Sequence, residues 1–280
     1  AMVTGSLSNI LLDYVFIFPL QMGIFGAVLA TSMAPIIGIS VLSRHWWKKR
    51  NRFHLIRIKI HKENVSRILI LGFPSFIAEL SSGIVIIVFN MIILGLQGNI
   101  GVAAYGVIAN LSLVVVSLYT GLSQGVQPLI SRAYGSGNQA AVNRFLFYAI
   151  TSVLVISCIV YFMVFTFAQP ITAAFNNENN LQLQQIAVSG LKLYFTSVWF
   201  VGFNILICVF FTSVNYAFPA HVISLARGLV VIVPIAFLFS YSFGMLGVWL
   251  AFPATELIVF LFGMVLYIIW KKRRASENII

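Results

Sequence analysis

Two carboxylates carry most of the chemistry this sequence can offer. Glu79 lies in the apolar run 65–94 and Glu256 in the run 246–270, where a helix crossing hydrocarbon should hold no charge. Counted from Arg67, Glu79 sits roughly 18 Å along its helix, near the middle of a ~30 Å hydrocarbon layer. Glu256 lies roughly 14 Å past Gly247. An acid at that depth is costly whether ionised or neutral, and such residues mark pathways for protons, ions or substrates. The chemistry they could perform is reversible capture of a proton or a small cation.

Each acid also has a quieter reading. Glu79 could be held by hydrogen bonds from Ser81, Ser82, Asn110 or Asn204. For Glu256, which follows Pro253 and Thr255, a paired or capped structural acid is the preferred reading. Pro74, upstream of Glu79, has no N–H to give the carbonyl four residues earlier, that of Ile70. Such a freed carbonyl is re-satisfied by a neighbour or by water, so a wet cavity could approach the helix. Asn110, Gln124, Gln127 and Asn204 are polar positions able to line a path, or to join helices by hydrogen bonds.

Other chemistries are excluded by residue type and spacing. Cys158 and Cys208 fall in apolar runs and read as packing residues, and the four histidines have no metal-ligand spacing, so no metal site is expected. The glycine-rich stretch 121–138 ends a helix and does not follow a strand, so it is no phosphate-binding loop. No nucleophile, base and orienting group occur together, so an enzyme is disfavoured, and no cofactor is implied.

These residues must be positioned by membrane helices. A chain of 280 residues that is 60% hydrophobic and 8% charged is far from a soluble domain, whose charged share is about 25%. The net charge of +11 is concentrated in two blocks, nine Lys/Arg from Arg44 to Arg67 and four from Lys271 to Arg274. Blocks that flank apolar spans read as cytoplasmic segments, without a nucleic-acid partner. The pattern predicts an all-α membrane protein with eight transmembrane helices, near 1–18, 25–43, 65–94, 102–131, 145–168, 192–214, 222–241 and 246–270. Segment 44–64 reads as a basic cytoplasmic linker along the inner membrane surface, and 271–280 as a basic cytoplasmic tail. The loop 176–185 has Glu178 and no Lys or Arg, which marks it as external. Lys192 and Arg227 fall near predicted span ends, and snorkelling to the interface accounts for both.

Residues 16–31 align without gaps on 237–252, with identities at Phe16/Phe237, Phe18/Phe239, Gly23/Gly244, Gly26/Gly247, Leu29/Leu250 and Ala30/Ala251. A cluster of Trp and basic residues follows each copy. The duplication makes 65–270 a six-helix C-terminal lobe and 1–43 the last helix pair of a similar N-terminal lobe, with about 155 residues preceding Ala1 absent. Six being even, both lobes enter the membrane in the same sense, the parallel-repeat plan of alternating-access transporters.

Several stretches make the chain resemble the multidrug and toxic compound extrusion (MATE) family, in its prokaryotic multidrug-efflux branch. They are NILLDYVFIF from Asn9, GFPSF from Gly72, QGVQPLISRAYGSGN from Gln124, the run from Gly202 to Pro234, and FGMLGVWLAFPATEL from Phe243. The resemblance implies a secondary antiporter of the plasma membrane, the cell inner membrane. It would export amphipathic, often cationic organic compounds in exchange for H⁺ or Na⁺, with small organic cations and membrane lipids as its partners. Some family members carry an acid in the first span of the C-terminal lobe, to which Glu79 corresponds in span. They pair it with an acid in the fourth, where this chain has Asn204. Asp13 belongs to a family motif, with helix packing as its preferred role. Alternatives are a lipid-linked oligosaccharide flippase of the same superfamily, and a channel or non-transporting membrane scaffold. The few intramembrane bases argue against the first, and no selectivity-filter motif supports a channel.

Overall fold

The computed structural model of the chain describes residues 2–47, 62–176 and 180–277. The middle of the basic linker, 48–61, and Glu178 of the expected external loop lie outside the described residues. The described chain is helical throughout and divides into two units, Ala1–Ile60 and His61–Ile280. The first unit is a hairpin of α1 (Met2–Ile17) and α2 (Gly23–Trp47). The second contains α3 (Lys62–Gly135), α4 (Gln139–Ala174), α5 (Leu181–Tyr194), α6 (Val198–Ser213), α7 (Ala217–Leu225) and α8 (Ile232–Glu277). A 3₁₀ turn, Phe195–Ser197, joins α5 to α6, and a π-helical turn, Ala226–Val230, joins α7 to α8.

Five apolar helical stretches among the described residues are long enough to cross a membrane, and Val3–Ile17 is a shorter apolar helix. Two of the five, Ile68–Gly135 and Ala217–Arg273, far exceed the ~20 residues a single crossing needs. Each contains one residue whose backbone leaves the helix: Gly98 with φ 62° in α3, and Gly244 with φ 57° in α8. Glycine alone adopts that region without a Cβ penalty.

One turn design recurs. Gly23 (φ 55°), Gly98 and Gly244 are each followed three residues later by a second glycine, Gly26, Gly101 and Gly247. A Cβ on any of these second glycines would strike the chain just before it: Phe16 at Gly26, Gln97 and Ile93 at Gly101, the Phe239 carbonyl at Gly247. The first glycine supplies the reversal and the second lets the returning helix press against the outgoing one. The repeat in the sequence therefore corresponds to a repeated backbone conformation.

Polar caps mark the remaining boundaries. Asn138 accepts from the Ala141 N–H at 3.0 Å to start α4 after Gly137 (φ 73°). Asn180 accepts from the N–H groups of Gln182 and Leu183 at 3.0 and 3.1 Å and starts α5. Helix therefore begins at Leu181, well before the predicted span at 192, and takes in half of the expected external loop. The cap and the bond from Gln184 Nε2 to Thr172 Oγ1 (2.7 Å) explain why this polar, uncharged stretch is helical. The expected connection at 215–221 is likewise shorter, because α7 starts at Ala217 and carries His221. Lys192 lies over the Phe165 ring, 4.8 Å from its centroid, a cation–π contact within the protein.

The core of the second unit is aromatic and aliphatic. Tyr194 stacks flat on Phe252, with centroids 4.5 Å apart. Phe210 meets Trp270 edge-on at 5.1 Å. Tyr119, fully buried, shares a hydrogen bond of 2.7 Å with Ser157, and the hydroxyl that accepts in that bond donates its own hydrogen to the Val198 carbonyl beside the 3₁₀ turn, which lies 3.2 Å from Tyr119 and 3.1 Å from Ser157. These contacts fix α3, α4, α6 and α8 against one another, and that packing positions the charged groups described next.

Candidate functional site

Three helical segments of the second unit meet at one buried carboxylate. Glu256, on α8 beyond the Gly244 reversal, has no solvent exposure. Its Oε1 accepts from Arg227 Nε at 2.5 Å, and its Oε2 accepts from Asn204 Nδ2 at 2.7 Å. The same Asn204 amide donates to the backbone carbonyl of Glu256 at 2.9 Å. Both neighbours of Nδ2 can only accept, which fixes the orientation of the side-chain amide.

Local structure explains how each group arrives. Arg227 belongs to the π-helical turn, where the Val231 N–H reaches back to the Ala226 carbonyl at 3.0 Å. Widening a helix there reorients its side chains, and such turns recur at functional positions. Asn204 sits mid-way along the strongly apolar α6 and is buried. Behind Glu256, Thr255 is buried and spends its hydroxyl on the Ala251 carbonyl at 2.8 Å. One turn before Glu256, Phe252 helps line a small cleft with Ser112, Val115, Tyr194, Phe195 and Ser197.

The site is internally compensated on one side only. A buried carboxylate needs a charge partner, and Arg227, with 22% of its side chain exposed, provides it. The expected snorkelling of Arg227 is thus corrected: a fully desolvated carboxylate holds the guanidinium inward more strongly than a nearby interface draws it out. Asn204 Oδ1 is buried without a hydrogen-bond partner among the described residues. An orphan acceptor beside an ion pair costs about 1–3 kcal/mol, and would be relieved if a donor or cation approached it.

The other predicted residues are placed differently. Glu79 is exposed on α3 and makes no hydrogen bond or ion pair among the described residues. Of the groups expected to hold it, three are accounted for and Ser82 is exposed. Asn204 serves Glu256, Asn110 donates to the Gly106 carbonyl at 2.9 Å, and Ser81 is buried with its Oγ unpartnered. Asn110 and Gln124 are exposed and Gln127 is half-buried, all on the half of α3 that follows Gly98. Asn204, read as able to line a path or to join helices, is buried and hydrogen-bonded to the carboxylate. The structure thus joins Glu256 with Asn204 and does not join Glu79 to either.

Two groups were undervalued by sequence reasoning. Arg227 is one; an intramembrane base and acid on opposite sides of the same reversal were the signal for pairing it with Glu256. The second is in the first unit, where Asn9 Nδ2 and Asp13 Oδ1 are both buried without a partner among the described residues. A spacing of four puts them on one face of α1. Helix packing alone leaves both atoms unsatisfied.

With this geometry in place, comparison with known proteins identifies the class. The chain matches the MatE family over residues 74–238, more than half its length, and belongs to that family. Its members are multi-pass membrane transporters and not enzymes. The chain is 25% identical over 279 residues to the multidrug export protein MepA of Staphylococcus saprophyticus subsp. saprophyticus, covering 99% of this chain and 61% of that protein. MepA of Staphylococcus haemolyticus is 27% identical over 262 residues, covering 92% of this chain and 57% of that protein. A solved structure described as the outward-facing conformation of a multidrug resistance MATE family transporter superposes with a TM-score of 0.87 at 22% identity. It covers 98% of this chain and 61% of that one. A MOP superfamily transporter from Pyrococcus furiosus superposes with a TM-score of 0.86, also at 22% identity, over 98% of this chain and 61% of that one. The chain thus spans 57% to 61% of the length of these relatives.

Proposed function

We propose that this chain supplies a complete six-helix lobe and the last helix pair of the other lobe in a secondary antiporter. That antiporter exports amphipathic, cationic organic compounds in exchange for H⁺ or Na⁺. The reversals at Gly98 and Gly244 divide the two longest stretches, giving eight spans when the helix pair of the first unit is included. The C-terminal Lys271–Arg274 block sets the cytoplasmic side, and the plasma membrane is the location that fits. Lipid covers the exposed apolar faces, such as Phe147, Leu154 and Phe162 on α4.

The observation that carries the reading is the contrast between the two acids. Glu256 is fully buried and committed to Arg227 and Asn204, while Glu79 is exposed and uncommitted. A coupling group must gain and lose its proton or cation within each cycle, so it needs access and no permanent partner. Glu79 meets that requirement. Glu256 serves as the fixed charge against which the lobe is organised, with Asn204 positioning it, and it joins coupling only when protonation releases Arg227. Asn110, Gln124 and Gln127 supply polar positions along the path.

In cells expressing the full-length protein, accumulation of a cationic dye should fall in a gradient-dependent way, and Glu79→Gln should abolish this at unchanged membrane expression. Undiminished efflux by that variant would remove Glu79 from the mechanism. The 280-residue chain alone, reconstituted in liposomes, should not transport, because the opposing lobe supplies half of the cavity; efflux by the chain would overturn the two-lobe reading.

A further inference from the structure

We propose that His221 is a positioning residue that supplies the hydrogen bond Pro74 cannot, and so holds the two parts of α3 on either side of Pro74 in line. This stands independently of what the protein transports. Pro74 has no amide hydrogen, so the carbonyl of Ile70 lacks its helical donor. In the structure His221 Nε2, from α7, lies 2.6 Å from that carbonyl oxygen. A carbonyl only accepts, so Nε2 carries the proton. The imidazole is oriented by Phe73, whose ring meets it edge-on with centroids 5.5 Å apart and an interplanar angle of 87°.

A second contact makes this more than a satisfied carbonyl. Seven residues beyond His221, Gly228 lies so close to Ser81 that a Cβ there would overlap the serine side chain. The α7 segment and its π-helical turn therefore touch α3 on both sides of Pro74, at Ile70 before it and at Ser81 after it. The Ser81 contact is steric and depends on glycine, whereas the Ile70 contact is a single exchangeable hydrogen bond. Breaking that bond leaves the Ile70 carbonyl to find water or another donor, which favours bending of α3 toward it. His221 thus sets the balance between straight and bent forms of this helix.

The test is amide hydrogen exchange on the 280-residue chain in phosphatidylcholine nanodiscs, followed over residues 66–78, with α4 and α6 as internal references. His221→Phe keeps the ring packing and removes the donor, and it should raise exchange in 66–78 about tenfold while leaving the references unchanged. His221→Gln, which retains a donor, should restore most of the protection. Pro74→Ala returns an amide to Ile70, so in that background His221→Phe should change exchange by less than about twofold. An equal increase with and without Pro74, a rise that extends to α4 and α6, or no change in His221→Phe would each overturn the proposal.

Discussion

The hairpin around Gly23 and the hairpin around Gly244 share a backbone and differ in chemistry. Both reverse on a glycine of nearly the same φ, 55° and 57°, and both close on a second glycine three residues later. Aligning the two puts Ser6 opposite Arg227, Pro35 opposite Glu256, and Asp13 opposite Pro234. The first hairpin thus has neither member of the ion pair, and instead has an aspartate that its counterpart lacks. The two hairpins share the turn, which packing requires, and each has its own acid. One acid is neutralised by a resident arginine. The other has a buried oxygen with no partner among the described residues.

The largest break in this comparison comes from the ion pair. Removing one member leaves a desolvated charge, which costs about 3–5 kcal/mol, whereas replacing both with apolar groups of similar volume is far milder. Denaturant unfolding of the chain should show Arg227→Met losing several kcal/mol. Arg227→Met combined with Glu256→Leu should recover most of that loss. A double variant as unstable as the sum of the singles would mean that the pair is not the source of the effect. Next come the reversals. Gly247→Ala forces a methyl into the Phe239 carbonyl and should cost more than Gly244→Ala, whose penalty is the positive φ alone, about 1–2 kcal/mol. Gly26→Ala and Gly23→Ala should rank in the same order, since the same two constraints operate; a reversed order in either hairpin would separate the two turns.

Much of this was legible in the residues. Apolar length and basic blocks locate the helices, and the glycine identities mark segments 16–31 and 237–252 as alike, although the reversal at each first glycine is seen only in the backbone. The freed carbonyl of Ile70 follows from Pro74 alone, although the partner that satisfies it does not. His221 lies on a different helix, and its position depends on where α7 begins, at Ala217 and not at the predicted 222. Arg227 shows the same limit. Nearness to a span end favours snorkelling, and only tertiary packing brings a buried carboxylate within reach. The helical start at Leu181 was hidden because glutamines read as loop when the capping role of Asn180 is not weighed. Local pattern thus reveals unmet needs, such as an orphan carbonyl or a deep acid, while the group that meets each need is chosen by contacts across the fold.

The smallest expected effect is also the sharpest comparison, because it applies one chemical change to both hairpins. Converting an acid to its amide removes a charge with almost no change in shape. Glu256→Gln deprives Arg227 of its counter-charge and should destabilise by about 3 kcal/mol or more. Asp13→Asn removes a half-buried acid that has one buried oxygen unpaired among the described residues. Its effect should be under about 1 kcal/mol and stabilising in sign, since neutralising an uncompensated group relieves desolvation. Opposite signs in parallel unfolding curves would establish that the first hairpin holds an acid awaiting a partner and the second an acid already matched. If Asp13→Asn destabilises as strongly as Glu256→Gln, then Asp13 has a partner of its own in the folded chain, and the contrast between the hairpins fails.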